Sequence, residues 1–200
     1  MFDAPVRRVV ARVLAAPARA LARAGVSPNA ATIAAALLGM AAALLIASNR
    51  SLSGIGVWLV SRVLDGMDGV LGRATGRTSS FGGYLDITLD MLAYCAMVLG
   101  FAVIHPEGGA VWAAILVGYV LVTTTTLALS SVLEKEQARV ADNDRSLQFT
   151  PGFAEAGETT AVYVLMVLLP ALTTAIGWAW VAVCAATVVQ RTLLARRLLK

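Results

Sequence analysis

Four aspartates set the chemistry open to this chain. Asp65 and Asp68 stand three residues apart and Asp86 and Asp90 four apart, with Gly66, Gly69, Gly72, Arg73 and Gly82 between or among them. Residues three or four apart share a helical face, so each pair projects from one side of its helix, and two such faces opposed make a four-carboxylate cage. Anions gathered at the edge of a hydrocarbon phase repel one another and lose hydration, so they must be protonated or hold cations. Divalent cations are the better answer: hard oxygen ligands suit Mg²⁺ or Mn²⁺, and no His or Cys stands nearby to invite zinc or copper. Two ions fit four carboxylates, and a pair about 4 Å apart can bridge phosphate oxygens and orient an in-line displacement. Gly66, Gly69 and Gly72 recur every third residue and leave one helix face bare, so a bulky ligand can approach the backbone. Arg73 adds a planar donor fork suited to phosphate. The residues describe a metal-diphosphate pocket.

The elements that must position this pocket are membrane helices. The 200 residues are 58% hydrophobic and 14% charged, against about a quarter charged in soluble chains. Apolar stretches close to the roughly 20 residues needed to cross a bilayer run over 30–47, 52–71, 84–104, 110–133, 159–176 and 177–194. The expected fold is therefore an all-α integral membrane protein, a six-helix transmembrane bundle of one domain over residues 1–200, with no nucleic-acid partner. The last reversal is placed between Pro170 and Thr174, where proline and threonines interrupt a continuous apolar region. With six spans, fifteen of the sixteen Lys and Arg fall on one side, and Arg50 alone on the other. By the positive-inside rule both termini and the aspartates then face the cytoplasm.

Residues 1–24 read as an interfacial amphipathic helix ahead of a membrane core over 25–200. Val6, Val9, Val10, Val13, Leu14 and Leu21 share a side, arginines favour anionic headgroups, and Pro17 bends or divides the segment. Arginines interrupt it throughout, so it does not read as a cleavable signal. Cys95 and Cys184 have no metal-binding spacing and read as packing residues. The run Thr123 to Thr126 is expected to bond to its own helix carbonyls. Arg77 reads first as an ordinary cytoplasmic loop charge, with contact to phosphate as the lesser alternative.

Taken together, Asp65-x-x-Asp68-Gly69-x-x-Gly72-Arg73, eight residues, then Gly82-x-x-x-Asp86-x-x-x-Asp90 closely resembles the signature of the CDP-alcohol phosphotransferase (CDP-alcohol phosphatidyltransferase) family, D-x2-D-G-x2-A-R-x8-G-x3-D-x3-D. One fixed place departs from it, Gly72 where the family usually has Ala. Upstream, Ser27-Pro28-Asn29-Ala30-Ala31-Thr32 is similar to the family's Pro-Asn-x-x-Thr segment. The resemblance implies attack by an alcohol on the phosphate of a CDP-alcohol, usually CDP-diacylglycerol, with release of CMP. It implies that Asp65, Asp68 and Asp86 hold one metal ion, that Asp65, Asp86 and Asp90 surround a second, and that Asp90 is the general base. It also implies that Asn29, Thr32, Gly69, Arg73 and Ser79 hold the cytidine diphosphate moiety, and that the protein is a homodimer. Its location would be a bacterial inner membrane.

The acceptor alcohol is open at this level. Lys135, Arg139 and Arg145 could bind a phosphorylated alcohol, but Glu134, Glu136, Asp142 and Asp144 are interleaved with them, so a solvated loop is the default. Residues 152–160 carry Glu155 and Glu158 and no base. Relatives that use phosphorylated acceptors generally offer Lys or Arg there, which leaves room for an unphosphorylated or cationic head group and makes Glu158 an acceptor contact to test. A divalent-cation carrier would need polar groups through the depth of several spans, whereas these acids cluster at one edge. A catalytically silent scaffold has no reason to keep the whole constellation.

Overall fold

The computed structural model describes residues 16–139 and 152–199, and all regular structure among them is helical. Helix α1 covers residues 16–23 of the described chain; the rest of the expected interfacial helix, residues 1–15, lies outside the described residues. Then follow α2 (Pro28–Ala47), α3 (Ser51–Thr75), α4 (Ser80–Ile104), α5 (Gly109–Arg139), α6 (Ala156–Leu168) and α7 (Thr173–Leu198), with single 3-10 turns at Pro106–Gly108 and Pro170–Leu172. Contacts divide the chain into two compact units, Met1–Gly109 and Ala110–Lys200.

In the first unit α2 packs along both α3 and α4. It can do so because small residues line the contacts. A methyl added to Gly39 would meet the Ala93 side chain at 2.8 Å, and one on Gly100 would lie 2.7 Å from the Ala43 carbonyl oxygen. In lipid, transfer of apolar surface from water no longer drives helix association, so this close backbone approach and the packing around it carry the contact. Ala93 and Gly100, small residues that also suit contact between subunits, are buried against α2 of the same chain. Ser61 reinforces the arrangement, donating from α3 to the Ala35 carbonyl of α2 at 2.8 Å.

The second unit is tied by a buried polar chain. The Tyr119 and Tyr163 hydroxyls lie 2.9 Å apart, and Trp180 Nε1 donates to Tyr119 at 3.1 Å. Arg191, counted in the sequence among the cytoplasmic charges, is only 8% exposed. It donates to the Val122 carbonyl at 2.8 Å and to the Thr126 hydroxyl. Thr125 and Thr126 also bond back to α5 carbonyls, as their run predicts. Cys95 and Cys184 are free thiols, the latter buried against Gly118.

Many large apolar side chains on α2, α4 and α5 face outward, among them Leu37, Leu44, Val103 and Val117, as a lipid solvent requires. Among the described residues four stretches are long and apolar enough to cross a membrane: Pro28–Ala47, Ser80–Ile104, Pro106–Lys135 and Pro170–Leu198. The protein is a multi-pass membrane protein. The two remaining expected spans differ for separate reasons. Helix α3 has 25 residues but carries Arg62 near its middle and Asp65, Asp68 and Arg73 beyond it. Helix α6 has 13 residues, about 20 Å at 1.5 Å per residue, and stops before Pro170, whose ring disfavours helix in the residue ahead of it.

Candidate active site

The site is built by three helix ends. Helix α2 begins with Ser27 as its cap, the side chain accepting from the Ala30 N–H at 3.2 Å, and Pro28 in the first turn. Helix α3 ends at Gly76, whose φ of +64° is the left-handed conformation that glycine adopts without strain. The Arg77 N–H then closes on the Gly72 carbonyl at 3.1 Å. Three residues later Ser79 caps α4, accepting from the Gly82 N–H at 3.0 Å. This tight connection sets the carboxylates of α3 and α4 across from each other, while α2 covers them.

Asp65, Asp68 and Asp86 each offer an oxygen, and the three oxygens lie within 4.8 Å of one another on half-buried side chains. That donor set fits Mg²⁺ or Mn²⁺, which take carboxylate oxygens and complete their shells with water or phosphate. Thr32 fixes one member: its hydroxyl lies 2.5 Å from the Asp68 carboxylate and 3.1 Å from the Pro28 carbonyl, and its single hydrogen serves one at a time. Asp90, the fourth acid, is ion-paired to Arg62 of α3. Arg62 also lies 3.7 Å from Asp65.

Beside the triad opens a cavity of about 230 Å³. Of the residues that the sequence assigns to nucleotide binding, Asn29, Thr32, Gly69 and Ser79 line it, together with Asp68 and Asp86. Asp65, Arg73 and Asp90 stand outside that lining. Arg73 lies over Gly69, its guanidinium 3.4 Å from where a methyl on Gly69 would be. Thr78 and Gly83 line it too and escape the sequence reading, which takes Arg77 first as a loop charge. Arg77 is brought to the cavity by the reversal at Gly76, and Thr78 by the extended residues that follow. A cation directly after the left-handed glycine was the available signal.

The residues considered for the acceptor belong to the second unit. Lys135 and Glu158 are exposed, Glu158 in the first turn of α6. Arg139 ends α5 but its side chain lies outside the described residues, as does Arg145.

A sequence model of the family described as CDP-alcohol phosphatidyltransferase matches residues 25–191. The chain belongs to that family, whose members are metal-dependent and transfer a substituted phosphate from a CDP-alcohol to an alcohol with release of CMP. It is 33% identical over 169 residues to the archaetidylinositol phosphate synthase of Pyrococcus horikoshii, covering 84% of this chain and 82% of that one. It is 32% identical over 160 residues to inner membrane protein YnjF of Escherichia coli, covering 76% and 75%. Among solved structures, phosphatidylinositol phosphate synthase of Mycobacterium tuberculosis with CDP-DAG bound matches with a TM-score of 0.66 at 22% identity, over 92% of this chain and 94% of that one. The same enzyme in complex with manganese and citrate gives 0.67 at 21% identity, over 91% and 88%. At these identities the likeness establishes the fold.

Proposed function

We propose that this protein is a phospholipid-biosynthetic transferase that moves the phosphatidyl group of CDP-diacylglycerol to an inositol phosphate. The supporting observation is that Asp68 and Asp86 belong at once to the carboxylate triad and to the wall of the cavity shared by Asn29, Thr32, Gly69 and Ser79. A metal-held diphosphate and a nucleotide contact surface are thereby contiguous. Asp65, Asp68 and Asp86 would hold one Mg²⁺ or Mn²⁺ and Asp65, Asp86 and Asp90 a second, supplying charge neutralisation to the diphosphate. Asn29, Thr32, Gly69, Arg73 and Ser79 hold the cytidine diphosphate, with Arg77 as a further phosphate donor group. Asp90 takes the proton from the acceptor hydroxyl. That oxygen forms a bond to the lipid-side phosphorus, the bond from that phosphorus to the bridging oxygen breaks, and CMP leaves with the electron pair.

The choice of acceptor rests on the Pyrococcus relative, which spans most of both chains. A second reading is an unphosphorylated or cationic alcohol, favoured by the stretch 152–160, whose own sequence carries Glu155 and Glu158 and no Lys or Arg. The remaining features complete the reading: one domain, six spans that include α3 and α6, an interfacial helix at 1–24, the site and termini facing the cytoplasm of a bacterial inner membrane, and a homodimer.

The test is CMP release by purified protein given CDP-diacylglycerol, Mg²⁺ or Mn²⁺, and separately inositol phosphate, inositol, glycerol 3-phosphate and serine, with Asp90→Asn as the inactive control. CMP with inositol phosphate alone is expected. CMP only with an unphosphorylated alcohol would replace the acceptor, and full turnover by Asp90→Asn would remove that residue as the base.

A further inference from the structure

Arg62 is not part of the aspartate signature, yet it is the most heavily held side chain around it. Its guanidinium carbon lies 4.4 Å from the centre of the Trp58 ring and 5.1 Å from that of Tyr94, and the two rings meet edge to face at 5.1 Å. One terminal nitrogen donates to the Ser61 hydroxyl at 3.0 Å, and Ser61 is itself anchored on the Ala35 carbonyl of α2. The other is ion-paired to Asp90 and lies 3.7 Å from Asp65. The side chain is 11% exposed. Cation–π contact with two rings and a hydrogen bond to Ser61 hold the charge in place, and the desolvated surroundings screen it weakly. An arginine on a flexible surface stem would swing aside for a metal ion; this one would have to give up all of these contacts to do so.

The four acids are consequently divided. Asp65, Asp68 and Asp86 converge on a space fit for a divalent ion, while Asp90 and the near oxygen of Asp65 already face a fixed monovalent cation. We infer that Arg62 is a built-in counter-cation for the Asp65–Asp90 side of the cluster, so that the two divalent-ion positions bind with unequal affinity. An ion at the triad has Asp68 to itself and draws on Asp86, and neither is among the carboxylates that Arg62 pairs with. An ion at Asp90 must share Asp65 and Asp90 with a like charge held by those contacts, and it is weakened accordingly. Arg62 is thus a positioning residue: it holds Asp90 in the metal-poor protein and grades the order in which ions are taken up. The inference rests on the metal-site reading above, and its test separates the two.

Full-length protein in detergent is given Mn²⁺ stepwise without substrate, and free Mn²⁺ is measured by electron paramagnetic resonance. In the unaltered protein one tight class is expected, with a second at least about tenfold weaker or not detected. Arg62→Gln removes the charge and should tighten the weak class by about tenfold or more while leaving the tight one within about threefold; Arg62→Lys, which keeps the charge, should retain the unequal pattern. Two classes of equal affinity in the unaltered protein would overturn the inference without any variant, and so would a weak class indifferent to Arg62→Gln. Asp68→Asn distinguishes the underlying reading: it should abolish the tight class, and Mn²⁺ binding unaffected by it would mean that the triad is not the metal site at all.

Discussion

Two glycines of the motif differ in what a single methyl group would meet. At Gly72 an added methyl would touch the Thr78 methyl at 3.4 Å and the Pro28 ring at 3.8 Å, ordinary contact distances. Gly72→Ala, the residue the family usually has, should therefore keep its activity and gain up to about 1 kcal/mol from helix propensity. At Gly82 the methyl would lie 3.0 Å from the Asn29 side-chain oxygen and 3.2 Å from the Ser79 hydroxyl. Gly82→Ala should push the Asn29 carboxamide out of its place at the cavity wall and weaken the α4 cap, a loss of about 1 kcal/mol. Its CMP release should fall at least about tenfold, mainly through KM for the CDP-lipid. Steady-state rates and thermal unfolding of the two variants check both statements, and equal behaviour would show that Asn29 does not bear on the nucleotide. At this scale much was legible. The convergence of Asp65, Asp68 and Asp86 follows from spacing along two helices, and the places of Asn29 and Ser79 from a recognisable pattern. The capture of Asp90 by Arg62 was not, because it depends on the aromatic pocket that Trp58 and Tyr94 form only when α3 and α4 stand side by side.

At the scale of elements, the site depends on α2 more than its own few site residues suggest. It lies against both carboxylate-bearing helices, whereas α3 and α4 reach each other through long side chains such as Trp58 with Tyr94 and Arg62 with Asp90. The separation between α3 and α4 is thus set by how closely each lies on α2, and at Gly100 the α4 backbone lies close against that of α2. A side chain there would strike the Ala43 backbone, which has no rotamer with which to yield. Gly100→Val should cost about 1–3 kcal/mol by overpacking and should lower activity although Gly100 lies ten residues beyond Asp90. Gly83→Ala, where an added methyl meets nothing within 4 Å, is the matched change on the same helix and should leave thermal stability within about 0.5 kcal/mol. If Gly100→Val unfolds at the same temperature as the unaltered protein, α2 does not govern the spacing. Helix starts at Ser27-Pro28 and Ser79 were readable from capping chemistry. The apolar count was a poorer guide at α3 and α6, because it weighs composition and cannot see which charges are paired or where Pro170 ends a helix.

For the molecule as a whole, the number of crossings turns on whether a charged helix can stand in a bilayer. Helix α3 has 25 residues, about 37 Å at 1.5 Å per residue, longer than the roughly 30 Å hydrocarbon core. Its first half is apolar. Its first charge, Arg62, is paired with Asp90 and wrapped by Trp58 and Tyr94, which is how a charge within a membrane is tolerated. The acids farther along lie toward the Gly76 end, where the start of α2 also brings polar groups to the site. These features support α3 as a full crossing, and the consequence is geometric: the turn at Arg50 and the turn at Gly76 must then lie on opposite sides of the membrane. Single cysteines at Arg50 and at Ala74, an exposed position one turn short of the cavity-lining Arg77, placed in a chain whose Cys95 and Cys184 are changed to Ala, report this directly. In intact cells a membrane-impermeant maleimide should label Arg50→Cys at once and Ala74→Cys only after permeabilisation. Labelling of both from outside, or of neither, would put the two turns on one face, remove α3 as a crossing, and with it the sorting of fifteen basic residues to the cytoplasmic side.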